Sequence, residues 1–227
     1  NGVIHGQGVL SLPDKSQYRG EFSFGQFHGR GVLFFEDGRE YKGDFRNNMI
    51  EGQGRLVYVD GSWYEGEFRN GKPQGQGVRR YADGSVYRGE ISGRMRHGSG
   101  VYENTSGELY DGTFSADQYS GPGTLEYADG RKYVGEFKDN LRHGSGELHY
   151  VDGSRYTGTF SADFPEGTGT LQYPDGSRYE GGFQRGKMHG EGEYLYADGS
   201  RYKGSLSDGK LNGQGTMIYT DGRLYQG

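Results

Sequence analysis

The sequence predicts an all-β chain: an elongated single-sheet solenoid of stacked antiparallel β-hairpins with a 23-residue repeat. Three observations predict it. Tyrosines 18, 41, 64, 87, 110, 133, 156, 179, 202 and 225 are evenly spaced with no insertion, and each is followed two residues later by glycine. Residues on either side of a short Asp-Gly turn alternate apolar and polar with period two. The composition combines 46 Gly, 20 Tyr and 12 Phe with only 30% hydrophobic residues. That is too little aliphatic material for one thick core and too much aromatic material for disorder.

The segment "GPGTLEYADGRKYVGEF" (121–137) shows each element in turn. In the first strand Gly123, Leu125 and Tyr127 alternate with Thr124 and Glu126. In the second, Tyr133, Gly135 and Phe137 alternate with Val134 and Glu136. Such alternation marks strands with one buried face. Ala128-Asp129-Gly130 suits a three-residue hairpin loop, a type I turn followed by glycine in the left-handed region. Pro174 in the equivalent loop fits the first central position of that turn. The register then opposes Leu125 to Tyr133 and places the aromatic residues of both strands on one face.

Between hairpins, the column Gly2, Gly25, Asn48, Gly71, Arg94, Asp117, Asn140, Asp163, Gly186 and Gly209 holds residues that tolerate positive φ, Arg94 excepted. The inter-hairpin turn is placed there. The paired G-x-G glycines, from Gly6 and Gly8 to Gly213 and Gly215, leave space on the aromatic face for a ring to lie against backbone. A structural role for these glycines outweighs any phosphate-cradling one. A fixed period without insertions is the mark of an array in which each repeat is stable only against its neighbours. With strands about 4.8 Å apart, ten repeats predict a body on the order of 90 Å long.

The net charge of −5 argues against a general affinity for nucleic acid or anionic membrane. With no cysteine, disulfides and thiolate metal sites are excluded. No signal-like or transmembrane stretch is present. The whole span 1–227 reads as one repeat array, partial at both ends and expected to be a piece of a longer one.

The pattern Y-x-G-x-F, then "HGxG", then "DG" before the next tyrosine resembles the MORN (membrane occupation and recognition nexus) repeat. The units "YKGDFRNNMIEGQGRLVYVDGSW" (41–63) and "YVGEFKDNLRHGSGELHYVDGSR" (133–155) carry it almost complete. The resemblance covers the chain and is closest to array-only cytoskeletal scaffold MORN proteins of protozoa. It implies a self-associating, cytoplasmic, cytoskeleton-associated protein with other cytoskeletal proteins as partners, with the inner face of a membrane as a further location. One repeat departs: "YENTSGELYDG" (102–112) has Asn104 and Ser106 where an aromatic or leucine and the turn aspartate are usual. Bending or weaker packing is expected there.

No catalytic constellation stands out. His5, His28, His97, His143 and His189 occupy one column, and columns roughly 10 Å apart cannot place ligands within about 4 Å of one another in one chain. A metal shared between two chains stays open as an alternative to packing or hydrogen bonding in the inter-hairpin loop. Glu21, Asp44, Glu67, Glu90 and Glu136 also form a column, in equivalent outward positions rather than as an unequal pair across a cleft. A non-enzyme without cofactor is expected.

Residues that defy their column mark the candidate surfaces. Near the C-terminus, outward positions turn apolar at Leu195 and at Ile218 opposite Leu224; with Met217 they form a candidate self-association site giving a homodimer. Phe34, Val57 and Trp63, with Val57 opposite Trp63, form a second candidate protein contact. Arg79, Arg80, Arg88, Arg94 and Arg96 concentrate positive charge in one repeat and are the candidate anion or lipid-headgroup site. The resulting reading is a dimeric, non-catalytic scaffold for cytoskeletal or membrane-associated assemblies. The alternative is a peripheral phosphoinositide-binding module, whose binding would be salt-sensitive.

Overall fold

Period-two alternation becomes a meander in which each strand pairs antiparallel with the next in sequence. The computed structural model describes residues 2–227; among them lie twenty strands of a single open sheet and no helix. A typical repeat comprises a seven-residue strand carrying the tyrosine, such as Lys132–Lys138, and a nine-residue strand, such as Leu141–His149. Leu125 pairs with Tyr133 and Glu126 with Lys132, the predicted register. The Tyr127 N–H donates to the Arg131 carbonyl at 2.9 Å, and Gly130 has φ 93°, so the three-residue loop with a left-handed glycine is realised. Asp129 Oδ1 accepts the Arg131 N–H at 3.0 Å. In three repeats the serine after the glycine, Ser62, Ser154 or Ser177, also donates its hydroxyl to the aspartate at 2.6 Å, and these serines are buried.

The inter-hairpin turns fall where predicted and are tighter than glycine counting alone suggests. Only two residues separate the strands, and both have positive φ: Asn47 and Asn48 at 50° and 66°, Ala162 and Asp163 at 46° and 75°. These are type I′ turns, whose twist matches that of the flanking strands. Arg94, the exception in its column, also adopts positive φ, at 91°, with Gly93 preceding it at 60°.

Each nine-residue strand carries a bulge at its first G-x-G glycine. Gly135 pairs with Gly146 but Glu136 pairs with His143, so Gly144 and Ser145 are extra, and Gly144 has φ 60°. The second glycine is needed for a different reason. A β-carbon on Gly31 would meet Cε2 of Tyr18 at 2.5 Å, and one on Gly169 would meet Cε2 of Tyr156 at the same distance. The tyrosine ring therefore lies flat on glycine backbone, as the sequence implied.

That ring is the unit of the core. Tyr133 stands edge-to-face with Phe137 of its own repeat at 5.1 Å and with Phe160 of the next at 5.0 Å. Tyr41 does the same with Phe45 and Phe68 at 5.2 and 5.0 Å. Such contacts contribute about 0.5–1.5 kcal/mol each beyond area burial. Ile91 and Leu206 take the phenylalanine position in two repeats and are equally buried.

The sheet divides into two compact halves, one holding residues up to Gly107 with Thr113–Asp117, the other Glu108–Gly112 with Gln118–Gly227. The division falls at the variant repeat. There the Asn104 side chain, rather than an aspartate, caps the turn by accepting the Ser106 N–H at 3.0 Å and the Ser106 hydroxyl at 2.7 Å.

Candidate interaction surfaces

Because strands alternate, residues on one side of the aromatic face are fixed by register into long cross-strand rows on the opposite, outer face. In the first half one row runs Ser11, Gln17, Phe34, Glu40, Val57, Trp63, Arg80, Val86, Glu103. The three residues of the predicted second contact thus share a row: Val57 pairs directly with Trp63, and Glu40 stands between Val57 and Phe34. The parallel row runs Val9, Arg19, Val32, Lys42, Arg55, Glu65, Val78, Arg88, Val101. The Arg55 guanidinium lies over the Trp63 ring at 4.4 Å and 3.7 Å from the Glu65 carboxylate. Gly31, Gly43 and Gly54 floor a groove of 510 Å³ beside this row, walled by Arg30, Lys42, Gln53 and Arg55.

In the second half the corresponding row ends Arg178, Leu195, Arg201, Ile218, Leu224. Ile218 and Leu224 are paired and exposed, at 46% and 58%, while Leu195 is half-buried and separated from them by Arg201. Met217 does not join this group. As the neighbour of Ile218 in an alternating strand it faces the aromatic side, paired with Tyr202 and Tyr225.

The five arginines do not form one patch. Arg79 and Arg80 are consecutive in a strand and face opposite sides, Arg79 opposite Tyr64 and Tyr87, Arg80 opposite Trp63 and Val86. Arg88 belongs to the outer face, Arg96 to the aromatic one, and Arg94 to the turn. Two of them have internal partners. Arg79 lies over the Tyr81 ring at 4.6 Å and donates Nη1 to the Arg94 carbonyl. The largely buried Arg96 donates to Asp117 Oδ1 at 3.2 Å and to its carbonyl at 2.6 Å, over the Tyr102 ring at 4.5 Å. Arg142 and Asp163 repeat that arrangement in the second half. Sequence reading passed over both pairs; the signal is an arginine in one repeat and an aspartate 21 residues later in the turn column.

Four of the column's histidines, His28, His97, His143 and His189, sit in a strand at the bulge rather than in the turn. Their backbone has a role: the carbonyls of His28 and His97 accept the Tyr18 and Tyr87 hydroxyls at 3.4 and 3.2 Å. Each of those hydroxyls also donates to the carbonyl of the carboxylate column, Glu21 and Glu90, at 2.8 Å. Burial pushes the phenols of Tyr18, Tyr64, Tyr87 and Tyr156 up to about 12, and those of Tyr41 and Tyr133 higher still. In the turns, donation from the Ser62, Ser154 and Ser177 hydroxyls holds Asp60, Asp152 and Asp175 below the usual carboxylate range.

The MORN repeat family model matches ten consecutive segments: 1–17, 18–38, 41–63, 64–86, 87–108, 110–130, 133–155, 156–178, 179–201 and 202–222. The chain belongs to the MORN repeat family. MORN repeats are a non-enzymatic scaffold family, and membership supports a protein-interaction scaffold. No curated protein matches the chain. Among solved structures, it is similar to the TCP domain of Drosophila melanogaster SAS-4 (dCPAP), in complex with a proline-rich motif of Ana2 (dSTIL). That match has 13% identity and TM-score 0.44, covering 78% of this chain and 90% of that one. It is also similar to the TCP10 domain of Danio rerio CPAP in complex with a peptide of Danio rerio STIL, at 14% identity and TM-score 0.42, covering 96% and 97%. These scores are too low to extend the MORN reading. No helix is long and apolar enough to cross a membrane among the described residues.

Proposed function

We propose that this MORN array is a non-catalytic scaffold that self-associates through the outer face of its last repeats and organises cytoskeletal or membrane-associated assemblies in the cytoplasm. The observation that supports this is the exposed pair Ile218 and Leu224, aligned with Leu195 in one row. From Glu126 to Gln172 that row carries Glu126, Lys132, His149, Arg155 and Gln172, all charged or polar. Burying an exposed aliphatic side chain contributes about 1.5–3 kcal/mol. A two-fold operator would bring each such patch against its own copy and double the gain.

Light scattering tests this directly. The expected mass is twice the 25.2 kDa chain, falling to one chain in the Ile218→Glu, Leu224→Glu double variant with its thermal midpoint unchanged. A single-chain mass for the unaltered protein, or a dimer indifferent to the substitutions, overturns the proposal. The phosphoinositide alternative draws less support, because the arginines it needs lie on two faces and Arg96 is held by Asp117. Salt-sensitive sedimentation with phosphoinositide vesicles would restore it.

A further inference from the structure

We infer that the outer face of the first half is a docking surface for an acidic, apolar-bearing segment of another protein. The inference rests on the scaffold reading but uses a different site from the self-association row. Its first basis is apolar area. Val32, Phe34, Val57, Trp63, Val78 and Val86 stand in two adjacent rows on the face opposite the aromatic core, Phe34 exposed and the other five half-buried. Phe34 is 41% exposed. Contiguous outward apolar side chains rimmed by charge mark interaction sites rather than ordinary surface.

The second basis is charge. Between the apolar residues stand Arg19, Lys42, Arg55, Arg80 and Arg88, against three carboxylates in the same two rows, Glu40, Glu65 and Glu103. This local cation excess belongs to a chain whose net charge is −5. Of the five cations, only Arg55 is in an ion pair among the described residues. Cations and valines intersperse along the row from Val9 to Val101, and in the neighbouring row Arg80 stands between Trp63 and Val86, so a complementary occupant carries acids and apolar side chains together. Beyond the glycine groove stand Glu21, Asp44, Glu67 and Glu90, with Arg30 paired to Asp44, so the cation excess belongs to the near side of the groove.

A peptide fits this surface better than nucleic acid or membrane. A segment of a protein places its carboxylates opposite the cations and leaves other positions neutral. A phosphate backbone carries charge at every step and would meet Glu40 and Glu65 as well. A lipid surface would meet the same carboxylates and would not be matched to an alternation of valine and arginine.

Trp63 is the only tryptophan in the chain and sits in the middle of the surface, so its emission reports on this site alone. Titration of the full chain with a soluble peptide of alternating leucine and glutamate is expected to shift that emission saturably. A leucine–lysine peptide, polyglutamate, single-stranded DNA and phosphoinositide vesicles are expected to leave it unshifted. The Lys42→Glu, Arg88→Glu variant keeps the Arg55–Trp63 contact and should weaken binding about tenfold or more. The Val57→Glu variant should abolish it, with an unchanged thermal midpoint confirming the fold. No shift with the leucine–glutamate peptide, or an equal shift with the basic peptide, DNA or vesicles, overturns the inference. The Ile218→Glu, Leu224→Glu variant separates the two sites. If it becomes single-chain and still responds, both readings stand. If the unaltered chain is already single yet responds, only self-association fails. If the chain is a dimer without a response, only docking fails.

Discussion

The two halves share an inner face and differ on the outer one. Tyr41 and Tyr156 each lie between two phenylalanines on a bed of glycine, at nearly identical separations. Outside, eight of the residues in the first half's two central rows are apolar. From Thr124 and Glu126 onward, the matching rows of the second half hold only Val134, Leu195, Ile218 and Leu224 as apolar residues, among threonines and charges such as Thr157, Thr170, Glu180 and Glu193. A fold that repeats its inside and varies its outside keeps stability and recognition on separate residues. The packing is set by the period; partner choice is left to rows the packing does not use.

If so, inner-face substitutions should act alike in both halves. Tyr41→Ala and Tyr156→Ala are each expected to cost about 3–5 kcal/mol, the range for removing a buried aromatic ring. Denaturant melts of the two variants should shift together; a large cost in one half and none in the other would break the comparison. Next in size is the partly buried ion pair of Arg142 and Asp163 in the second half. Asp163 has φ 75°, so Asp163→Gly removes the carboxylate while keeping the turn. Loss of a charged hydrogen bond to Arg142 is expected to destabilise by about 1.5–3 kcal/mol. Asp117→Gly makes the matching test on Arg96 in the first half.

Smaller effects should appear in pH dependence, with opposite signs at the two ends of the scale. The turn aspartates have folded pKa values below their ordinary one, so their contribution is present above the usual carboxylate range. It is lost as pH falls through the folded values. A thermal midpoint that drops in acid, and drops less in Asp60→Asn and Asp152→Asn variants whose midpoints are already lower near neutral pH, would show this. The tyrosines have the reverse shift. Their contribution is full below pH 10.0 and is lost as pH rises through about 12. Alkaline unfolding in that interval, seen as a cooperative rise of tyrosinate absorbance, is the expected result. The smallest change should follow Tyr156→Phe, which deletes the donor to the Thr159 carbonyl for about 0.5–1.5 kcal/mol.

The hairpins, their register and both turn positions were legible in the sequence because each depends on one local rule: alternation, an Asp-Gly loop, or a residue that accepts positive φ. What was hidden depends on contacts between repeats or on backbone alone. Ala116 and Ala162 take positive φ at the first turn position, where nothing in an alanine advertises it. The bulge at Gly144 hides inside an apparently regular G-x-G pattern. Arg142 and Asp163 stand 21 residues apart, and only stacking of adjacent repeats joins them. For the surfaces, the Val57–Trp63 and Ile218–Leu224 pairings were readable from register. Nearness in sequence groups the five arginines, whereas alternation sends Arg79 and Arg80 to opposite faces. The same alternation parts Met217 from Ile218.

The strictly sequential pairing of strands bears on how the chain reaches this structure. Most all-β folds join strands distant in sequence and pay a loop-closure entropy that slows them. Here every described register links a strand to its immediate successor through a turn of a few residues, as in Gly121–Phe137 and Lys138–Leu141. Contact order is therefore low for a β protein. Any hairpin can serve as the nucleus, and order spreads outward from it repeat by repeat.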